Sequence, residues 1–212
     1  MKDQGNKDYW EKTAKVYGRF MQVNDKTYQE VSHKIMANLN RNMTVLELAC
    51  GTGQLSFRLA PKVKLWEATD FSPNMIAQAK KQSASSRLKF SVQDATQLPY
   101  SDSSFDVVVM ANALHVMPHP ELALAEIHRV LKPRGIFFAP TFVEGQGLLQ
   151  KVRIKFIKIT GFKIFHHWTG EQLKGFLEQN HFIVTEYGMI PGGGLPICYL
   201  QAVPQKNYSP QN

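Results

Sequence analysis

Short apolar runs alternate with helical patterns along the middle of this chain. Runs rich in β-branched and aliphatic residues, bounded by turn residues, read as buried strands. Val45-Leu46-Glu47-Leu48 is the first, and Gly51 and Gly53 close behind it force a tight turn. Gln54 to Ala60 then reads as a helix, with Leu55 and Leu59 on one face and Pro61 stopping the pattern. Lys64 to Thr69 is a second strand, ending before Asp70. Ser72-Pro73 starts a helix with serine at the N-cap and proline at the first position, and Met75, Ile76 and Ala79 form its apolar face. Leu88 to Val92 alternates as a third strand. Phe105-Asp106-Val107-Val108-Val109-Met110 is apolar throughout after Asp106, as a central strand of a parallel sheet requires. Pro120 opens a helix carrying Ala123, Ile127, Val130 and Leu131 on one face, and Lys132-Pro133-Arg134-Gly135 ends it. Thr169-Gly170-Glu171-Gln172 fits a capping box ahead of Leu173, Phe176 and Leu177. The alternation predicts an α/β fold with a mostly parallel sheet, its strands near 44–48, 64–69, 88–92, 105–111, 136–141, 182–186 and 197–203.

Composition narrows the class. A chain of 212 residues with 43% hydrophobic content can bury one sizeable core, and no repeat or low-complexity linker divides it. The N-terminus is polar and lacks a signal-peptide pattern. No apolar run approaches the roughly twenty residues that span a bilayer. Cys50 and Cys198 imply neither a disulfide framework nor a zinc site, so a reduced cytoplasm is the expected compartment. The formal net charge is +8. Part of it sits in the basic segment after the fifth strand, where Lys151, Arg153, Lys155, Lys158 and Lys163 interleave with apolar residues. A solvated face, attraction of an anionic substrate and peripheral contact with a membrane surface are the readings of that segment.

The glycine turn carries the candidate chemistry. A strand, a glycine turn and a helix N-terminus let backbone N–H groups approach a nucleotide-like cofactor. The dinucleotide pattern G-x-G-x-x-G fails here, because its third glycine falls on Ser56. The frame Glu47-x-Ala49-x-Gly51-x-Gly53 instead resembles motif I of the class I S-adenosylmethionine (SAM) methyltransferases, with Ala49 departing from the usual first glycine. "DFSPNMI" from Asp70, "QDA" from Gln93, "FDVVVMANALHV" from Phe105 and "EIHRVLKPRG" from Glu126 resemble the motifs that follow in that family. The resemblance covers residues 44 to 141 motif by motif and continues more loosely to 203.

The resemblance implies a Rossmann-like, seven-stranded sheet flanked by helices, with the last strand antiparallel and an N-terminal helical cap. The expected parts of the single domain are the cap (1–43), the SAM-binding core (44–141), a lid-like insert (142–168), the last helix and strand pair (169–203) and a tail (204–212). SAM is the implied cofactor. Glu47, Ala49, Cys50, Gly51 and Gly53 form its turn, and Asp70 accepts from the ribose. Phe71 and Met75 lie beside the adenine, and Asp94 meets the amino group with the Ala95 backbone next to it. Asn112 sits at the carboxyl end of the fourth strand, which faces the ligand crevice in open α/β sheets. "DYWEKTAKVYGRFM" resembles the family's cap, with Tyr17 in the place of the cap tyrosine, although packing on the sheet would also account for these aromatics.

Methyl transfer from SAM is mainly a matter of proximity and alignment. A base is needed only where the acceptor keeps its proton at neutral pH. Among His115, His119, His166 and His167, His115 lies nearest the crevice and is the candidate base, with a structural or substrate-lining role as its alternative. Tyr9, Phe20, His115 and Phe156 are the candidate acceptor contacts. No metal site is expected. The chain is similar to the ubiquinone/menaquinone biosynthesis methyltransferases, which implies a small acceptor such as a quinone or other lipophilic phenol and a monomeric or homodimeric enzyme. A nucleic-acid methyltransferase is disfavoured, because Asn112-Ala113-Leu114-His115 stands where those that methylate amino groups carry Asn/Asp-Pro-Pro-aromatic. An NAD-type oxidoreductase and a non-catalytic SAM-binding protein are the remaining alternatives. Residues 9–20 and 148–165 are expected to form a mobile roof over the acceptor.

Overall fold

The computed structural model describes residues 6, 9–14, 25–82, 85–143, 162–192 and 196–205. Tyr17, Phe20 and Phe156, with the basic segment from Lys151 to Lys158, lie outside the described residues.

Residues 9–14 are helical, and helix α1 (Asp25–Met36) follows. The core then alternates as its pattern dictates: β1 (Thr44–Leu48), α2 (Gln54–Leu59), β2 (Leu65–Asp70), α3 (Pro73–Lys80), β3 (Leu88–Val92), β4 (Phe105–Met110), α4 (Pro120–Val130) and β5 (Leu131–Phe138). A two-residue β6 (Thr141–Phe142), α5 (Gly170–Gln179), β7 (Phe182–Ile190) and β8 (Ile197–Pro204) complete it. The caps form as expected. Ser72 Oγ accepts from Met75 N at 3.2 Å, and Thr169 and Gln172 close a reciprocal capping box.

Five parallel strands lie in the order β3-β2-β1-β4-β5. Strand β8 is antiparallel to β5 and β7, as expected of the last strand. The sheet has eight strands rather than the seven expected. Residues 136–141 do not form one strand: β5 stops at Phe138 and β6 restarts at Thr141, both against the same edge of β8. At its other end β5 reaches back to Leu131, which pairs with Phe105, while Ile136 pairs with Val107. The Lys132-Pro133-Arg134-Gly135 stretch is therefore a bulge within the strand rather than a turn before it. Strand β7 runs four residues past its expected end, to Ile190, because β8 pairs along its whole length.

Period-two alternation sends the strands' side chains to two cores. Val45, Val107, Val109 and Phe138 face one core with Ile35 of α1, Leu55 and Leu59 of α2 and Ile76 of α3. Leu46, Leu48, Val108, Met110 and Phe137 face the other, with Ala123, Leu124 and Ile127 of α4 and Leu173 and Leu177 of α5. Covered on both faces, β4 has no polar side to present, which is why its sequence is continuously apolar after Asp106. The chain runs outward from β1 to β2 and β3, then returns to place β4 on the other side of β1. The carboxyl ends of β1 and β4 thus form the switch point at which open α/β sheets bind ligands.

Candidate cofactor and acceptor site

A cavity of about 520 Å³ opens at this switch point, within the roughly 300–1,000 Å³ usual for small-molecule sites. Ala49 and Gly51 from the turn after β1 line it, as do Asp70, Phe71 and Met75 after β2, Asp94 and Ala95 after β3, and Asn112 after β4. Four stretches that lie far apart in sequence therefore meet in one space.

The turn after β1 depends on left-handed backbone at Ala49 (φ 54°), Gly51 (φ 57°) and Gly53 (φ 90°). Alanine at 49 bears that conformation in place of the family's glycine, at a steric cost of about 1–2 kcal/mol. Asp70 holds the turn in place: its carboxylate accepts from Gly51 N at 2.8 Å and from Ser72 N at 2.9 Å. Burial pushes its pKa up to about 6, against the two N–H donors and with the help of nearby Glu11. At neutral pH it remains mostly ionised, and each oxygen keeps a lone pair for a further donor. Asp94 folds onto its own loop, accepting from Thr96 N at 2.9 Å and Thr96 Oγ1 at 2.7 Å. Phe71 is 42% exposed, an open aromatic face at the cavity edge.

Asn112 takes left-handed backbone (φ 54°) immediately beyond β4. Its side chain is committed on both sides. The oxygen accepts from Phe142 N at 2.8 Å, and the amide donates to the Tyr28 hydroxyl at 2.7 Å. These bonds join the end of β4 to β6 and to α1. Tyr28 is buried, and burial raises its hydroxyl pKa to about 12.

Several expected site residues lie elsewhere. Glu47 is 2% exposed and does not line the cavity. It accepts from Trp66 Nε1 at 2.8 Å and from Ser56 Oγ, so it braces β1 against β2 and α2 from inside. Burial raises its pKa to about 7. Cys50 is buried and Gly53 packs against Phe57 and Phe90; both shape the turn without facing the cavity. His115 is 8% exposed in the 3-10 turn Leu114–Val116, and it is also absent from the lining. Its Nδ1 has no hydrogen-bond partner, and burial, with His166 and His167 nearby, lowers its pKa to about 4. A neutral ring of such weak basicity behind the wall is poorly suited to take a substrate proton. Tyr9 packs edge-on against Trp10 and at a tilt against Phe162, and Trp10 takes the lining position that was expected of Tyr9.

Sequence reading missed Asn6. Its side chain donates to Lys163 O at 2.7 Å and Val116 O at 3.3 Å, and accepts from Lys163 N at 2.8 Å, while it also lines the cavity. A lone asparagine in a polar N-terminus gives no sequence signal. Met117 and Leu122 were also missed, although their position just past β4 could have placed them at the crevice.

The lining fits an adenosyl cofactor: a backbone cradle, a carboxylate at hydrogen-bond reach of the turn, a second carboxylate on the next loop and an aromatic face in the same lining. Comparison with known proteins agrees. Residues 46–139 match the methyltransferase domain family. The chain is 32% identical over 163 residues to the ubiquinone/menaquinone biosynthesis C-methyltransferase of Rickettsia bellii, covering 72% of this chain and 64% of that protein. It superposes at TM-score 0.80 and 18% identity on a chain of the Haloferax volcanii complex that contains the Trm112 methyltransferase activator, over 96% of this chain and 99% of that one. The magnesium protoporphyrin IX methyltransferase of Synechocystis PCC 6803, solved with S-adenosylhomocysteine (SAH) bound, superposes at TM-score 0.74 and 20% identity over 94% and 98% of the two chains. Residues 46–139 thus match a methyltransferase domain, and the fold is that of SAM-dependent methyltransferases. The chain spans less than two thirds, 64%, of that Rickettsia relative's length.

Proposed function

We propose that this chain is a SAM-dependent methyltransferase acting on a small-molecule acceptor. One observation carries the reading: residues from four separated motifs line a single cavity at the switch point of the sheet. SAM, bound there, supplies an activated methyl group for in-line transfer. The chain's own residues bind and orient. Backbone at Ala49 and Gly51 approaches the cofactor closely, Asp70 accepts from ribose hydroxyls, Asp94 and Ala95 meet the adenine edge, and Phe71 and Met75 flank its faces. Asn112, fixed by Tyr28 and Phe142, shapes the end of β4 beside the reacting centre.

A small acceptor is favoured by the cover over the cavity. Asn6 and Trp10 close it from the N-terminal side, and Phe162 and Lys163 stand behind them. The Rickettsia relative, by its name, works in ubiquinone and menaquinone biosynthesis, so a quinone or other lipophilic phenol is the first acceptor class to test. No helix among the described residues is long and apolar enough to cross a membrane. We read the whole chain as one domain, monomeric or homodimeric, working in the cytoplasm, with the basic 151–163 segment able to meet a lipid surface that delivers such an acceptor.

Titration calorimetry should detect binding of SAM and none of NAD. Tritiated-methyl transfer should then be found to a phenol, amine or thiol. Labelling of tRNA or DNA with no labelling of small acceptors would overturn the substrate reading. NAD binding without SAM binding would overturn the cofactor.

A further inference from the structure

Asn6 and Trp10 of the N-terminal segment line the cavity, and side-chain hydrogen bonds pin Asn6 and Glu11 in place. At one end the Asn6 side chain grips Lys163 and the Val116 carbonyl. At the other, the Glu11 carboxylate accepts from Ser72 Oγ at 3.0 Å, and the Glu11 carbonyl accepts from Asn74 Nδ2 at 3.1 Å. Between the pins, Trp10 packs edge-on against Phe162, with ring centroids 5.2 Å apart, and lines the cavity. Ser72 is the shared joint. Its backbone N–H donates to Asp70, its hydroxyl donates to Glu11, and the same hydroxyl caps α3. The cofactor's carboxylate and the acceptor's wall are therefore one residue apart through a continuous hydrogen-bonded path.

We propose that Glu11 is a positioning residue that ties the wall formed by Asn6 and Trp10 to the Asp70 edge of the cofactor site, so that cofactor occupancy sets the wall against which the acceptor docks. The inference rests on the SAM reading above. Glu11 is absent from the cavity lining, so it acts through Ser72 and not by touching the cofactor. Its proximity also raises the pKa of Asp70, as two carboxylates on one joint should. Ligand hydroxyls donating to Asp70 offset the charge that repels Glu11, which lets Glu11 settle on the Ser72 joint and brings the wall with it. The acceptor site is then completed only after the cofactor is in place, an ordered addition built from two serine hydrogen bonds.

The test is hydrogen exchange of residues 9–14 and 162–169 in the full chain, free and with SAH, beside SAH affinity by calorimetry. In the wild-type protein, SAH should slow exchange in both segments. Glu11→Ala should speed exchange at 9–14 by about tenfold, the scale of one lost hydrogen bond to a charged group, and abolish the further slowing by SAH. Its SAH affinity should stay within about fivefold of wild type. Glu11→Gln keeps an acceptor for Ser72 without the repelled charge and should hold 9–14 near the SAH-bound wild-type rate even in the free protein. Asn74→Ala, at an exposed position, removes only the second pin and should give the same signature at smaller scale. Unchanged exchange in Glu11→Ala would overturn the proposal. So would a loss of SAH affinity beyond fivefold with strand exchange intact, since Glu11 would then be a direct ligand. The free-protein arm reads the link even if SAH fails to bind, a result that would count against the cofactor reading alone.

Discussion

Removing the Asp70 carboxylate should cripple cofactor binding. Asp70→Ala deletes two bonds that already exist in the free protein, from Gly51 N and Ser72 N at 2.8 and 2.9 Å, and two more that ribose hydroxyls would make. Hydrogen bonds to a charged group are worth about 1.5–3 kcal/mol each. Two ribose bonds thus set an upper range of about 3–6 kcal/mol, and every 1.4 kcal/mol is roughly tenfold in affinity. Water will satisfy the stranded hydroxyls in part, and the freed turn will relax, so we take the lower half of that range and expect roughly a hundredfold loss or more. Asp70→Asn should lose nearly as much, because one of its atoms becomes an amide donor facing a backbone N–H. The assay is SAH titration at pH 7.5, where a group of pKa about 6 is mostly ionised. Repeating it at pH 5 protonates Asp70 in the wild-type protein, so wild-type affinity should fall towards the Asn variant's as pH drops through 6. A folded Asp70→Ala protein with affinity within threefold of wild type, or a wild-type affinity flat from pH 8 to 5, would refute the argument.

Gly53→Ala should destabilise without changing the chemistry of the site. The new Cβ would sit 2.7 Å from the Phe57 ring at φ +90°, and a loss of about 2 kcal/mol should lower Tm by roughly 5 °C. Glu47 gives a pH signature. Its folded pKa of about 7 lies above the usual 4.5, so the native state holds a proton that the unfolded state has released, and unfolding free energy falls as pH rises through that window. Glu47→Gln abolishes the fall, so the variant's Tm minus that of wild type should climb between pH 4.5 and 7; a constant difference would mean that Glu47 does not titrate there. His115→Ala should cost about 1–3 kcal/mol of stability as a buried truncation yet leave SAH affinity within threefold. A tenfold affinity loss at unchanged Tm would return His115 to the site.

Sequence made the turn side of the cavity readable, because backbone geometry demands special residues there. Glycines at left-handed positions, an acid ending β2 and a serine–proline helix start all leave local marks. The strands were legible for the same reason: burial on both faces leaves β4 no choice but to be apolar. Glu47 misled because a buried acid within a strand looks alike whether it faces a ligand or braces Trp66. The broken fifth strand was invisible because Leu131 and Phe142 owe their pairings to Phe105 and to β8. The N-terminal wall of the cavity was least legible. Asn6 and Glu11 act by reaching residues 157 and 61 positions away, and no local periodicity records such a reach.

Strand β8 also orders the birth of the molecule. The strands β3-β2-β1-β4-β5 are complete once Phe138 has left the ribosome, and each can pair with a neighbour already made. Strand β7 cannot, since its hydrogen-bonded neighbour among the described residues is β8, which is synthesised after it. Until Ile197–Pro204 emerges and slots in between, β5 presents an open edge and β7 is a nine-residue strand with no place in the sheet. During that interval the nascent chain exposes Phe182 and Ile190, buried in the finished fold, beside two unpaired edges, the stretch of its life in which a chaperone has most to shield.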